Sequence, residues 1–519
     1  MSLLGPINSS LRHFSCLAAV VIDDLLEPNY GGYSPESEDI LQCLPEAEHE
    51  MSVLKTQLSS LLLQKKKLET RIARYKSLLG SPIRRIPPEV LAIIFEFCCP
   101  EGGRVRRNEI IFPAMQLSQV CRYWRNLIHS TASMWSSLSI VCSHSEQSIK
   151  TVKPMLTMHL ELSKNAPLDL EVSISSSREL EQFVFASLAL HSVRWRHCRL
   201  KPSRHMLHSL ELSAIRGRLP LLESLEFSSP LDDITPNLFE IAPKLRQLQI
   251  YYHPNLQLPW KQISTYTSVC TCLPTALEEI STVSEASEVT LYRCSRLKAL
   301  VPGGQLFHRL QSLTIVVDRS DSDFYHLFRW LTLPNLTSLN ISGEGHLPES
   351  LADGQEHFHA FLGRSSCTIK SLSLVNLSIP DFEAAALLSS LTYLSALAIH
   401  EPERGFKNST ISGELLRSLV FSARNSTPSL KLNHLQHLDL RLHATLPAKS
   451  IVDIVDSRWF PNPEHSAAVG VDSLTSVKLQ VLQKAGRSTA TNIEELYEAL
   501  SVYSMSGLQF YLSHKEMGC

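Results

Sequence analysis

The sequence predicts an α/β chain in three architectural pieces. A long N-terminal coiled-coil helix comes first, then a small three-helix module, then an irregular repetitive α/β solenoid. Three observations predict it. Apolar residues recur in alternating steps of four and three between Ile40 and Leu79. Short amphipathic stretches bounded by prolines and tryptophans fill residues 83–135. A six-residue pattern, L-x-x-L-x-L, then returns through the rest of the chain. The expected boundaries are 1–44 (uncertain structure), 45–80 (heptad helix), 81–140 (helical module) and 141–519 (repetitive domain).

The heptad helix rests on Leu44, Ala47, Met51, Leu54, Leu58, Leu61, Leu68, Ile72, Tyr75 and Leu79, with Lys65 in the one polar slot. Such a seam sustained for about five heptads marks coiled-coil pairing or a helix folded back on its own protein. Pro45 suits a first helical turn, and Gly80-Ser81-Pro82 is a stop signal. Glu46, Glu48 and Glu50 stand near the N-terminus, and Lys65–Lys67, Arg71, Arg74 and Lys76 towards the C-terminus, as the helix dipole prefers. A homodimer through 46–79 is therefore one expectation.

In the module, Pro88 and Glu89 open a helix whose apolar stripe is Val90, Leu91, Ile94 and Phe95. Leu117–Ile128 forms a second amphipathic helix, and Met134-Trp135 follows. The run Ile86-Pro87-Pro88-Glu89-Val90-Leu91-x-x-Ile94-Phe95, then Val120-Cys121-Arg122-x-Trp124-Arg125, then Met134-Trp135, resembles an F-box. Together with the preceding heptad helix, it is similar to the large F-box-domain family of mushroom-forming fungi. The resemblance implies three short helices that dock on the Skp-type adaptor of a Skp–cullin–F-box ubiquitin ligase. It assigns Ile86, Pro87, Val90, Leu91, Ile94 and Phe95 to the adaptor-facing or core helix. Val120, Trp124, Leu127 and Trp135 complete the module and its contact. Residues 96–116 form a longer inter-helix loop than the compact F-box has, and its Arg104, Arg106 and Arg107 read as a solvated loop.

The third piece opens with a helix at Ile149–Leu162, a strand at Leu168–Ile174 and a helix near Leu180–Leu190. The six-residue signature then begins at Leu207, Leu222, Leu245, Leu310, Leu336, Ile369, Leu394, Leu435 and Leu474, with a degenerate copy at Ser287–Leu291. Leucine supplies roughly one residue in six. In a strand, alternate apolar residues share one face, and only stacked neighbours can bury it. Several spacings fall near the 20–29 residues of a leucine-rich repeat. The residues between the apolar positions form two outward columns, from Ser209 and Glu211 to Ser476 and Lys478. Both columns are short and mostly uncharged. Charge returns at the last strands through His437, Asp439, Arg441 and Lys478, the expected client-binding residues.

Composition narrows the function. The 519 residues carry 49 Lys+Arg against 51 Asp+Glu, a net charge of −2 that gives no field for nucleic acid or an anionic membrane. Only 19 glycines occur, which disfavours glycine-rich phosphate loops. The 12 cysteines form no C-x-x-C, and Cys270 with Cys272 alone defines no metal site. No G-x-S-x-G, H-E-x-x-H, phosphate-loop or dinucleotide motif is present. Phe14–Ile22 lacks a cleavage site, and no apolar run reaches the ~18 residues of a membrane span. The sequons at Asn8, Asn335, Asn340, Asn376, Asn408 and Asn425 would suit a secreted repeat protein instead. The expectation is a non-enzymatic, cytoplasmic or nuclear substrate receptor without cofactor or metal, binding a Skp-type adaptor, through it a cullin, and a protein client. The alternative is a leucine-rich-repeat scaffold with no part in ubiquitin transfer.

Overall fold

A computed structural model describes residues 37–80, 82–100, 102–106, 109–142, 149–228, 237–251, 256–269, 273–292, 304–318, 324–344, 352–377, 379–403, 408, 410–422, 430–484 and 493–517. Phe14–Ile22, the sequons at Asn8 and Asn425, Arg107, and Cys270 with Cys272 lie outside them. The chain divides into two compact units, 1–91 and 92–519.

In the first unit, one helix, α1, spans Ser37–Gly80. It starts eight residues before Pro45, so that proline lies inside the helix rather than in its first turn. A proline removes one backbone hydrogen bond and tends to kink the helix at that point, and here the helix runs on through it. A short 3₁₀ turn, Pro82–Arg85, follows the stop signal.

The second unit is organised by one sheet of sixteen strands among the described residues. The helical module contributes α2 (Pro88–Cys98, opening in the first unit), β1 (Gly103–Arg106), β2 (Glu109–Ile111), α3 (Pro113–Ser118) and α4 (Arg122–Ser130). The expected loop 96–116 thus contains a strand pair. Gly102 makes the entry possible: its φ is +62°, and an added Cβ would lie 2.3 Å from the Ser137 carbonyl. β1 pairs antiparallel with β2 and parallel with β3 (Ser137–Cys142).

From β3 onward each strand lies parallel beside the one before it. The run continues through β4 (Leu168–Ile174), β5 (Trp195–Lys201), β6 (Ser224–Ser228), β7 (Gln247–Tyr251), β8 (Thr265–Val269) and β9 (Glu288–Tyr292). A two-residue pair, β10 (Leu306–Phe307) with β12 (Leu331–Thr332), stands apart from it. The sheet proceeds through β11 (Ser312–Asp318), β13 (Ser338–Glu344), β14 (Ser371–Val375), β15 (Ala396–His400), β16 (His437–His443), β17 (Ser476–Lys484) and β18 (Gln509–Met517). Strand residues alternate between buried and half-exposed, so one face of the sheet meets the core and the other is open.

Two buried rows cross the ladder. One includes Leu225, Leu248, Tyr266, Val289, Leu313 and Leu339; the other includes Phe227, Ile250, Ser268, Leu291, Ile315 and Ile341. The first expected signature, Leu207–Leu212, is helical instead, split between Arg204–Leu207 and Leu210–Ser213. Ser209 caps the second of these by accepting from Leu212 N at 3.1 Å, and Leu210 is left exposed where a strand would have buried it. β5 takes the place beside β6.

Helix ends are tied to their neighbours by side chains that donate to carbonyls at or near them. Trp135 Nε1 donates to Ile128 O at 2.9 Å, and Trp195 Nε1 to Leu188 O at 3.2 Å. Arg364 donates to Phe328 O at 2.6 Å and Leu331 O at 2.8 Å. The fully buried Arg458 donates to Leu419 O at 2.6 Å and Leu432 O at 2.7 Å.

His159 on helix Ile149–Leu162 is buried edge-on against Phe112 and Trp135. Burial pushes its imidazole down to about 4. Above pH ~6.5 the ring is neutral whether the chain is folded or not. Between there and pH 4 only the unfolded chain takes up the proton, so stability falls with pH, by about 3 kcal/mol at the low end. His159→Phe is expected to remove this part of the acid sensitivity, read as a smaller stability difference between pH 7 and pH 4.5 in urea unfolding. An unchanged difference would contradict it.

Candidate functional site

Two surfaces stand out, one on the helical module and one on the open face of the sheet. In the module, the short helix α4 begins at Cys121, whose Sγ accepts from Trp124 N at 3.4 Å in an extended N-cap geometry. Phe95 of α2 meets Trp124 of α4 with ring centroids 4.6 Å apart. Trp135 is fully buried after α4, and Glu96 accepts a hydrogen bond from Ser133.

These contacts sort the residues singled out in the sequence. Leu91, Phe95 and Trp135 are core. Ile86, Trp124 and Leu127 are half-buried. Pro87, Val90, Ile94 and Val120 are exposed. The sequence reading missed Ile93, Phe97 and Tyr123, which are also exposed, Phe97 to 82%. Within the second unit, Ile93, Ile94, Phe97, Val120 and Tyr123 therefore present large apolar side chains to solvent. An isolated exposed apolar side chain is ordinary; several on α2, α4 and the turn before α4 mark an interaction surface. The signal was available in the apolar excess of Pro88–Cys98, where nine of eleven positions are non-polar and one helix face can bury only part of them.

The sheet's open face carries one continuous row. The register links Arg104, Ser139, Glu171, Arg199, Glu226 and Gln249, and then Thr267, Thr290, Thr314, Asn340, Ser373 and Ala398. It ends in Asp439, Lys478 and Tyr511. Charge occupies both ends, and small uncharged side chains the middle. At the N-terminal end, Arg106 and Arg199 each lie 3.3 Å from Glu171, and Arg199 also bonds Glu226. Arg196 makes a two-pronged contact with Asp169 at 2.6 and 3.0 Å. These strands line a cleft of about 440 Å³ that includes Arg106, Ser139, Glu171, His197, Arg199 and Glu226. Burial alone would raise the Glu171 carboxyl. Hydrogen bonds from Ser139 and Arg199, with the charges of Arg199 and Arg106, hold it below its ordinary value.

At the C-terminal end the four expected client residues adjoin one another in register. His437 is exposed. Asp439 accepts from His400 Nε2 at 2.9 Å and lies 3.5 Å from the exposed Lys478 ammonium. Partial burial works against the Asp439 carboxylate, and His400 and Lys478 outweigh it to lower the pKa. Arg441 is different: it is only 13% exposed, donates to Glu401 O at 3.0 Å and to Asn376 Oδ1, and pairs with Glu403. It joins strands and loops, which leaves His437, Asp439 and Lys478 as the accessible members of the group.

No set of three or more His, Cys, Asp or Glu is placed to hold a metal among the described residues. No described helix is long and apolar enough to cross a membrane. A family model for F-box-like domains matches residues 83–141, and the chain is an F-box domain-containing protein. The match begins at Ile83 and ends within β3, so the inserted strand pair lies inside it. A search of curated proteins finds no match.

Arg199→Met is expected to raise the Glu171 pKa, because burial then acts with less opposition. Carboxyl-carbon NMR of the full chain labelled at glutamate checks it; an unchanged Glu171 titration would contradict the assigned network. Global stability is expected to change by no more than about 1 kcal/mol, since these pairs are partly solvated.

Proposed function

We propose that this chain is the substrate-recruiting F-box subunit of a Skp–cullin–F-box ubiquitin ligase. The F-box-like domain docks on a Skp-type adaptor and through it a cullin. The sheet-bearing domain, a leucine-rich-repeat-like solenoid, holds a protein client in the cytoplasm or nucleus. The observation that carries this reading is the coincidence of the family match at 83–141 with the exposed apolar residues Ile93, Ile94, Phe97, Val120 and Tyr123. Pro87 and Val90, exposed in the first unit, are assigned to the adaptor by the family resemblance.

The chain's own contribution is proximity. Holding a client lysine beside a ubiquitin-charged carrier makes the transfer effectively intramolecular. The bond-making groups belong to the partners. A protein client suits the open strand face, whose end charges alternate in sign rather than forming the basic stripe that phosphates require. Client selectivity is assigned to His437, Asp439 and Lys478, with Arg441 holding the strands that present them. The sequon Asn408 supports an intracellular reading: its Nδ2 donates to His443 O at 3.2 Å and Thr445 Oγ1 at 3.0 Å, contacts an attached glycan would disrupt.

Two tests use the full-length chain. Ile94→Glu with Phe97→Glu is expected to cut recovery of a purified Skp-type adaptor at least tenfold, because a charge in a desolvated helix contact costs roughly 2–5 kcal/mol. Both positions are exposed, so thermal unfolding stays the same. Undiminished recovery would contradict the docking face. Separately, His437→Ala with Lys478→Ala is expected to deplete the proteins that co-purify while adaptor recovery holds; an unchanged set would place the client surface elsewhere.

A further inference from the structure

We infer that α1 pairs with the same helix of a second copy of this chain, as an antiparallel two-stranded coiled coil centred near residue 63. The seam that sequence periodicity defines is uncovered along its length. Met51, Leu58, Leu61, Leu68 and Ile72 are exposed to between 44 and 60%. An apolar stripe of this length left in water is a strong drive to association, because each buried methylene returns roughly 0.8 kcal/mol.

Charge selects the occupant and its direction. With Met51, Leu58, Lys65 and Ile72 at one core position of the heptad and Leu54, Leu61, Leu68 and Tyr75 at the other, the flanking positions that follow the second set are Glu48, Lys55, Leu62, Glu69 and Lys76. In a parallel pair, Arg71 meets Lys76 of the second copy and the two Lys65 side chains share one core layer. Only Glu50 with Lys55 attracts. An antiparallel pair removes both conflicts. Glu48 then meets Lys76 of the second copy, Lys55 meets Glu69, and each contact occurs twice by symmetry. Leu62 meets its own copy at the centre, and Lys65 packs beside Leu61.

The remaining charge agrees. The N-terminal half carries Glu46, Glu48 and Glu50, the C-terminal half Lys65–Lys67 and Arg74. Laid head to tail, acidic ends face basic ends and the helix dipoles oppose. A sequence whose two halves complement each other in this way fits a copy of itself better than an unrelated helix. One consequence is spatial: the two copies of Gly80 stand about 50 Å apart, at opposite ends of the rod.

Sedimentation of the full-length chain tests this. The wild type is expected to be a dimer at micromolar concentration. Leu58→Asp with Leu61→Asp returns it to monomer. Lys55→Glu and Glu69→Lys each weaken the dimer, on the order of three- to tenfold in Kd. Combined, they restore it to within about threefold of the wild type, because the swapped pair attracts again. In a parallel dimer Lys55 faces Glu50, so the combination would stay as weak as Lys55→Glu alone. A monomeric wild type at tens of micromolar, or a double variant without recovery, would overturn the proposal. Adaptor recovery reports on a different surface, so this test and the docking test fail independently.

Discussion

The parallel hydrogen-bond ladder, continuous from β3 to β18 with one bulge at the start of the β4–β5 pair, is the constraint on which the second unit depends. With a side-chain period of two, one registered ladder fixes which residues of every strand enter the core and which face outward. It turns the dispersed leucines into two continuous buried rows and makes Arg104, Glu171, Arg199, Asp439 and Lys478 members of one outward row although hundreds of residues separate the first from the last. The helices close the other side of the core. Trp135, Trp195, Arg364 and Arg458 donate from neighbouring elements to carbonyls at their C-terminal ends.

The legible part of this fold was the part that alternation dictates. Signatures ending in Leu-x-Phe, Leu-x-Ile, Leu-x-Leu or Val-x-Leu from Leu222 to Leu479 correspond to strands, and even the degenerate Ser287–Leu291 copy is β9. β8 was hidden because Tyr266 and Ser268 fill the two apolar slots, and a fully buried serine carries no hydrophobic signal. β18 was hidden because its alternation, Phe510 and Leu512, stands alone without the preceding leucine spacing. Leu207–Leu212 misled for the opposite reason. Leucines five apart also fit buried positions of two short helices, and only Leu210 distinguishes the cases. The β1–β2 pair depends on the αL turn at Gly102 and on the edge of β3, neither of which local pattern reveals.

The candidate site followed the same division. Motif spacing located the module and its tryptophans, but periodicity marks an apolar position without saying which side will be covered. Leu91 and Val90 are adjacent in sequence and opposite in fate, one buried and one exposed. Phe97 reads as core by composition and stands almost wholly in solvent. On the sheet, the first charged group was missed because β1, β4 and β5 lack the leucine signature, so Arg199 and Glu171 could not be aligned with Asp439 before the register was known. What emerges is a chain with chemically distinct surfaces: an apolar one on the module and a polar one along the strands.

That separation is the central claim, and hydrogen exchange of the full chain with and without a purified Skp-type adaptor tests it most directly. The account predicts new protection confined to peptides covering the module, chiefly 86–98 and 119–125, with β6 to β18 exchanging as in the free chain. Protection spread along the strands, or none in the module at saturating adaptor, would contradict it.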